Sequence, residues 1–333
     1  MSSFESMFVS YILNSLWQIP LLVCASWVAA RILKPAGPVA EHRVWVVGLF
    51  CQILLPALSI VPRESVHIPW PWVTHPALQQ ANVSVQMGNG TMLEGLRLPA
   101  AVVGTISIVY VLLTLYLGAR FAWQCERLSA LKRSTRPLTL SGETALLFDR
   151  WSKRLGIGSV AVASSTEIFA PVTLGITRKW VLLPAGIANS LARAELDAAI
   201  AHEFAHIRRN DFAKNLLYEL LAIPVSYHPC LWLARQRIME TREMVCDEMA
   251  AGLSGKQVYA QSLLRLASLL LQGKPVKVPH AIGVFDANTL ERRLMNLTEK
   301  KTHISRQPVR FHGCLRSTGS GHYYVGSGSA PRC

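Results

Sequence analysis

The feature that most constrains the fold is three long stretches almost empty of charge. Residues 7–33 carry no charge before Arg31, and residues 44–61 and 99–118 carry none at all. About 17–25 apolar residues wound as a helix cross the hydrocarbon core of a bilayer. The rest of the composition agrees. Only 16% of the 333 residues are charged and 51% are hydrophobic, against about 25% charged in an ordinary soluble domain. Three transmembrane helices are therefore expected within residues 1–119. Asn14, Ser15, Gln18 and Pro20 in the first run are tolerable where neighbouring helices satisfy them. No Lys or Arg precedes that run, and it is too long for a cleaved leader.

Orientation follows from the basic residues. Arg31, Lys34 and Arg43 flank the first turn, and Arg120, Arg127, Lys132, Arg133 and Arg136 follow the third run, whereas the 62–98 loop holds only Arg63 and Arg97. Positive charge collects on the cytoplasmic side. The expectation is a multi-pass protein of the cell (inner) membrane, in contact with lipid, with the chain beyond about residue 120 in the cytoplasm. In the outer loop, Trp70, Trp72, His67 and His75 read as interfacial anchors and solvated residues. Asn82-Val-Ser and Asn89-Gly-Thr are formal glycosylation acceptors. The net charge of +14 suits such a protein, and no direct nucleic-acid binding is expected. Seven scattered cysteines without a Cys-x-x-Cys read as reduced thiols, not a disulfide framework.

Residues 120–298 read as one domain, mainly α with a small β-sheet (α+β). Residues 140–155 have a helical pattern. Residues 159–164 alternate as a strand, and 171–175 and 179–184 form two short strands around a turn. A helix from Phe212, broken at Pro224, follows as a buried or membrane-touching element. Two more helices fall at 257–272 and 290–297. From residue 299 the chain becomes a basic, Gly/Ser-rich tail to Cys333, which is expected to be disordered.

Within the domain one stretch carries chemistry, Ala201-His202-Glu203-Phe204-Ala205-His206, running on to Asp211. Residues four apart share a helix face, so His202 and His206 can both reach one tetrahedral Zn²⁺. Glu203 is then placed to take a proton from a water on that ion. The preceding Ala/Leu-rich run lacks Gly and Pro and opens with Ser190, a capping residue type. A chance pair of histidines is the bland alternative. A third ligand is needed, and Glu243 is assigned that place, with Glu240, Cys246 and His228 as competitors. Asp247, four residues on, is expected to accept from a ligand histidine and fix its tautomer. Asp211 is a second such acceptor, and His228 either lines the site or is a structural loop histidine. An ordinary charged helix face competes with the reading of Glu243 and Asp247. The strand pair from Thr173 to Leu183, with Leu182 and Leu183, is expected to hold a peptide substrate in extended form by strand addition.

Assembled in this way, the chain resembles the BlaR/MecR-type family of integral-membrane zinc metallopeptidases over residues 7–297. The resemblance is carried by Ser15-Leu-Trp-Gln, His42-Arg43-Val-Trp45, Pro171-Val-Thr-Leu-Gly175, Val181-Leu-Leu-Pro184, the His202–Asp211 motif, Tyr227-His-Pro229 and Arg242-Glu-Met-Val-Cys-Asp247. It implies a cytoplasmic gluzincin-like domain after transmembrane helices, with His202, His206 and Glu243 as ligands and Glu203 as catalytic base. In antibiotic-sensing members an outer domain binds beta-lactam and the peptidase leads to loss of a DNA-bound, winged-helix repressor. Here no Ser-x-x-Lys occurs in an outer segment, and the basic tail stands where the family usually has a fourth transmembrane helix. The change near Thr302 also fits a truncated or frame-shifted end. The function expected is metal-assisted peptide hydrolysis in repressor-inactivating signalling. A membrane quality-control protease and a non-enzymatic, signal-transducing receptor are the alternatives, and oligomerisation is left open.

Overall fold

A computed structural model describes residues 2–59, 83–85, 96–140, 142–168, 170–186, 191–272 and 287–298. Trp70, Trp72, His67, His75, both glycosylation acceptors, Ser190 and the tail from 299 lie outside the described residues. The protein is mostly helical, with a small four-stranded sheet. The α+β fold class expected above is the one observed.

The chain starts with α1 (Ser2–Leu33) and α2 (Pro38–Leu58), joined through Gly37, whose φ of +95° only glycine adopts without strain. After a short antiparallel pair, β1 (Val83–Val85) with β2 (Leu96–Leu98), comes α3 (Ala100–Ser134). All three helices are long and apolar enough to cross a membrane. Leu16, Trp17, Leu21, Leu54, Ile108, Leu112 and Leu115 point outward from them, the pattern of a surface solvated by lipid. Small residues let α1 and α2 approach closely: a Cβ on Gly48 would collide with Ser26 Oγ. The third helix was expected over 99–118 but continues unbroken to Ser134, since no Gly or Pro follows Gly118 to stop it.

The sheet comprises β3 (Arg136–Pro137), β4 (Ala161–Ser165), β5 (Val172–Leu174) and β6 (Trp180–Pro184). Its order is β3-β4-β6-β5, with β4 parallel to β6 and the other pairs antiparallel. Helix α4 (Gly142–Leu155) precedes β4. After the sheet come α5 (Arg193–Arg209), α6 (Asp211–Leu221), α7 (Pro229–Ser254), α8 (Lys256–Gln272) and α9 (Ala287–Thr298). The N-cap of α5 is Ala192, not Ser190. Glu195 Oε2 accepts the Ala192 N–H at 2.9 Å, which satisfies one orphan donor of the first turn.

Of the hydrophobic clusters among the described residues, the two largest hold most of these elements. One packs Phe148 and Trp151 of α4, Val181 and Leu183 of β6, Ile200 and Phe204 of α5, Ala250 of α7, Tyr259 of α8 and Leu297 of α9. The other packs Ile19 of α1, Trp45 and Leu49 of α2 and Tyr110 of α3 against Leu231, Ala234 and Ile238 of α7. Helix α7 is therefore shared. Its first half belongs with the apolar helices and its second half with the sheet. Two polar contacts strengthen the first half's seat: His42 Nδ1 lies 3.0 Å from Thr241 Oγ1, and Ser15 Oγ lies 2.5 Å from Tyr227 Oη.

Candidate metal centre

Helix α5 is Ala-rich and free of Gly and Pro, so it forms readily and can pack closely. His202 and His206 fall on one face, one turn apart, their ring centroids 4.7 Å from each other. The helix ends at Asn210, held left-handed at φ +55°, and α6 begins at once with Asp211. That tight corner swings the Asp211 carboxylate back onto His206: Nδ1 donates to Oδ2 at 2.9 Å. Arg209 Nε donates to both Asp211 oxygens at 3.1 and 3.0 Å. A carboxylate only accepts, so His206 carries its proton on Nδ1 and turns a free Nε2 lone pair inward.

Helix α7 supplies the facing side. Glu243, Cys246 and Asp247 lie at i, i+3 and i+4 and share one helix face. Glu243 Oε2 is 3.3 Å from His202 Nε2 and 3.8 Å from His206 Nε2, and the two Nε2 atoms are 3.2 Å apart. Donor atoms at about 2.0–2.1 Å around a tetrahedral ion are separated by roughly 3.3–3.4 Å. Two edges of the triangle are close to that size, and the third, from Glu243 Oε2 to His206 Nε2, is longer at 3.8 Å. Glu243 Oε2 is buried and makes no close hydrogen bond among the described residues; the two imidazoles and Arg293 Nη1 stand 3.3–4.0 Å from it, and a buried anionic oxygen is costly unless cationic charge satisfies it. The donor set therefore fits a metal ion.

The back of His202 is equally built. Its Nδ1 lies 3.2 Å from Asp247 Oδ1 and 3.0 Å from Tyr259 Oη, and Tyr259 itself donates to Asp247 Oδ1 at 2.8 Å. Arg293 of α9 closes the cluster, donating from Nε to Oδ2 at 2.7 Å and from Nη2 to Oδ1 at 2.8 Å.

Electrostatics follow from burial and these partners. Burial would raise the Glu243 carboxyl, but His206 and His202 overcome it and hold it well below the usual range. It is thus an anionic donor. For Glu203 burial wins: its pKa is raised despite the opposing pull of His206, His202 and a Thr173 hydrogen bond. Asp211 and Asp247 are each lowered to about 2, against the effect of burial, Asp211 by His206 and Arg209 and Asp247 by Arg293 and His202. Burial lowers both histidines, yet Asp247 and Glu243 raise His202, and Cys246, Glu243 and Asp211 carry His206 well above the ordinary value. An anionic pocket that would load protons in this way is also one that attracts a divalent cation.

The structure brings together His202, Glu203, His206, Glu243, Asp247, Asp211 and Thr173. It places the remaining candidates elsewhere. His228 is the N-cap of α7, with Nδ1 accepting the Cys230 N–H at 3.2 Å. At 1.5 Å per residue the fifteen positions to Glu243 put it roughly 22 Å from that carboxylate, so it does not line the site. Leu182 and Leu183 are almost fully buried, in two different hydrophobic clusters. Their strand β6 is paired on both sides, so its backbone cannot take an added strand. The outer strand on that side is β5, which carries Thr173. Among the competitors for third ligand, Glu240 pairs with Arg237 and Arg292 at 2.7 and 2.6 Å. Cys246 Sγ lies 3.3 Å from both His206 Nδ1 and Asp211 Oδ2, behind the histidine, its thiol pushed up to about 11 by burial.

Sequence reasoning missed Tyr259 and Arg293. Neither sits in a recognisable motif, and each reaches Asp247 from a later helix. Cys246 did have a signal, three residues after Glu243 on the same face.

The family model described as BlaR1 peptidase M56 matches residues 11–297. Over 137 residues the chain is 23% identical to the methicillin resistance mecR1 protein of Staphylococcus aureus, covering 40% of this chain and 23% of that protein. Over 216 residues it is 21% identical to the regulatory protein BlaR1 of Staphylococcus aureus, covering 63% of this chain and 36% of the relative. The chain thus spans about a quarter to a third of the curated relatives it matches. A looser likeness, with TM-score 0.37 and 16% identity over 59% of this chain and 63% of the other, is to the crystal structure of S. mikatae Ste24p. The family match runs through the apolar helices, the sheet and every residue of the cluster around His202. By that match the chain belongs to the BlaR1 peptidase family.

Proposed function

We propose that this chain is a membrane zinc peptidase, with residues 1–119 as its membrane part and 120–298 as the peptidase domain at the cytoplasmic face. The observation that carries the reading is the triangle of His202 Nε2, His206 Nε2 and Glu243 Oε2, whose donor atoms all lie within 4.8 Å of one another. His202, His206 and Glu243 would hold Zn²⁺. When bound, the ion polarises the scissile carbonyl and makes water more acidic.

The remaining chemistry belongs to side chains. Glu203, buried beside the triangle with Oε2 lacking a partner among the described residues, takes the proton of the attacking water. It later delivers that proton to the leaving amine. Its raised pKa suits both steps, and Thr173 orients the carboxylate. Asp211 and Asp247 fix the histidines by holding their Nδ1 protons. A substrate peptide lies along the outer edge of β5, adding a strand beside Thr173. The curated relatives are named for methicillin resistance and for regulation, and this supports a regulatory protein substrate, a transcriptional repressor, over bulk degradation.

The test is Glu203→Gln, assayed for zinc content and for cleavage of a peptide library by detergent-purified protein. Zinc stays stoichiometric and the rate falls by about 10²–10⁴. Cleavage at the wild-type rate would remove Glu203 from the chemistry.

A further inference from the structure

Arg293 is 2% exposed and sits on α9, 46 positions from its main partner. Its guanidinium makes one hydrogen bond to each oxygen of Asp247, at 2.7 and 2.8 Å, and Nη1 lies 4.0 Å from Glu243 Oε2. Asp247 is fully buried, so its negative charge needs a close counter-charge. It also has to present one oxygen in a fixed direction, because Oδ1 is the atom that meets both His202 Nδ1 and Tyr259 Oη. Only a planar fork fixes both oxygens at once, and a lysine would hold the charge without holding the orientation. The neighbouring Arg292 makes a different contact. It is half-exposed and pairs with Glu240 at 2.6 Å, about two turns before Asp247 along α7.

We propose that Arg293 is a positioning residue of the metal centre: docked from α9, it locks the Asp247 carboxylate and, through it, the ring of His202. The inference rests on the peptidase reading above. It adds that the site is complete only with α9 in place, although no donor atom of the triangle comes from that helix. Residues that orient a ligand histidine typically change metal affinity or activity by about 10–100-fold when removed.

The experiment measures zinc affinity by chelator competition on the full chain in detergent, together with the visible spectrum of the cobalt-substituted protein. Arg293→Met is expected to weaken zinc binding about 10–100-fold. Arg293→Lys is expected to weaken it less and to alter the cobalt bands, which a purely structural contact would leave alone. Arg292→Ala removes an α9 contact without touching Asp247 and is expected to stay near the wild-type affinity. If Arg293→Met does not fold, the lysine variant decides. Wild-type affinity and spectrum in Arg293→Lys, or equal losses in the Arg292 and Arg293 variants, overturn the proposal. A wild-type protein that takes up no zinc overturns the peptidase reading itself, a result distinct from a loss confined to the variants.

Discussion

Asp211→Asn is the most informative perturbation of the centre, because it changes one atom's chemistry and almost no volume. In the native protein the carboxylate receives the His206 Nδ1–H at 2.9 Å, the Arg209 Nε–H at 3.1 and 3.0 Å, and the Cys246 thiol at 3.3 Å. An amide has a single acceptor oxygen for those donors. If the oxygen faces Arg209, the amide NH₂ confronts the His206 N–H. The imidazole then relieves the clash by moving its proton to Nε2, the atom that would bind the ion. If the oxygen faces His206, the part-buried Arg209 N–H loses its carboxylate partner, and His206 keeps only a neutral acceptor, which lowers the basicity of its ring. Either way zinc affinity is expected to fall by about 10–100-fold, equivalent to roughly 1.4–2.8 kcal/mol. Chelator competition reads the affinity, and near-ultraviolet circular dichroism shows whether the fold is intact. A folded Asp211→Asn protein that binds zinc within twofold of wild type would refute the claim that this carboxylate sets the His206 tautomer.

Chelation should lower the melting temperature, since removing an ion present at about 100 times its Kd forfeits roughly 2.7 kcal/mol. Stoichiometric zinc restores it, and Glu243→Ala shows no chelator-dependent shift; an unshifted wild type counts against the triangle as a metal centre. Gly175→Ala should destabilise by about 1–3 kcal/mol, because φ is +99° and the new Cβ would collide with the Arg178 carbonyl oxygen. Denaturant unfolding reads it, and an unchanged midpoint argues against the tight turn that holds β5 on β6. Thr241→Val leaves the buried His42 Nδ1 without its 3.0 Å partner, at a cost of about 1–3 kcal/mol. In a double-mutant cycle with His42→Ala the two losses should be less than additive, and strict additivity would show that the pair does not couple α2 to α7.

What was readable beforehand is what depends on short spacings. Residues 202 and 206, and 243 and 247, are pairs four apart within Gly- and Pro-free runs, so their shared faces followed from helix geometry alone. The apolar runs are one-dimensional signals of the same kind. Sheet order is not such a signal. Leu182 and Leu183 look like edge residues because the chain passes from β5 through a turn into β6, and only the parallel pairing of β6 with β4 makes that strand interior. His228 precedes a proline at a helix start, where a side-chain cap is wanted, yet its chemistry drew attention toward the metal. Tyr259 and Arg293 were hidden for another reason. Their partners lie 12 and 46 positions away, and a single buried Tyr or Arg in an amphipathic helix has no local mark.

The placement of α7 ties the membrane motifs to the chemistry. Ser15 meets Tyr227 just before this helix starts, His42 meets Thr241 on it, and Trp45 packs into the same core as its first half. Thr241 is two residues from Glu243. A helix is stiff over that distance, because its backbone hydrogen bonds are closed within each turn. A displacement of α2 along or about α7 would therefore act first on the Glu243 carboxylate, and would reach His202 and His206 on α5 only through the core that α5 shares with Ala250 and Ala251 further along α7. The triangle of donors has edges of only 3.2–3.8 Å, so a relative shift of even 1 Å would change it from a shape that fits an ion to one that does not. The apolar helices thus set one side of the candidate metal centre.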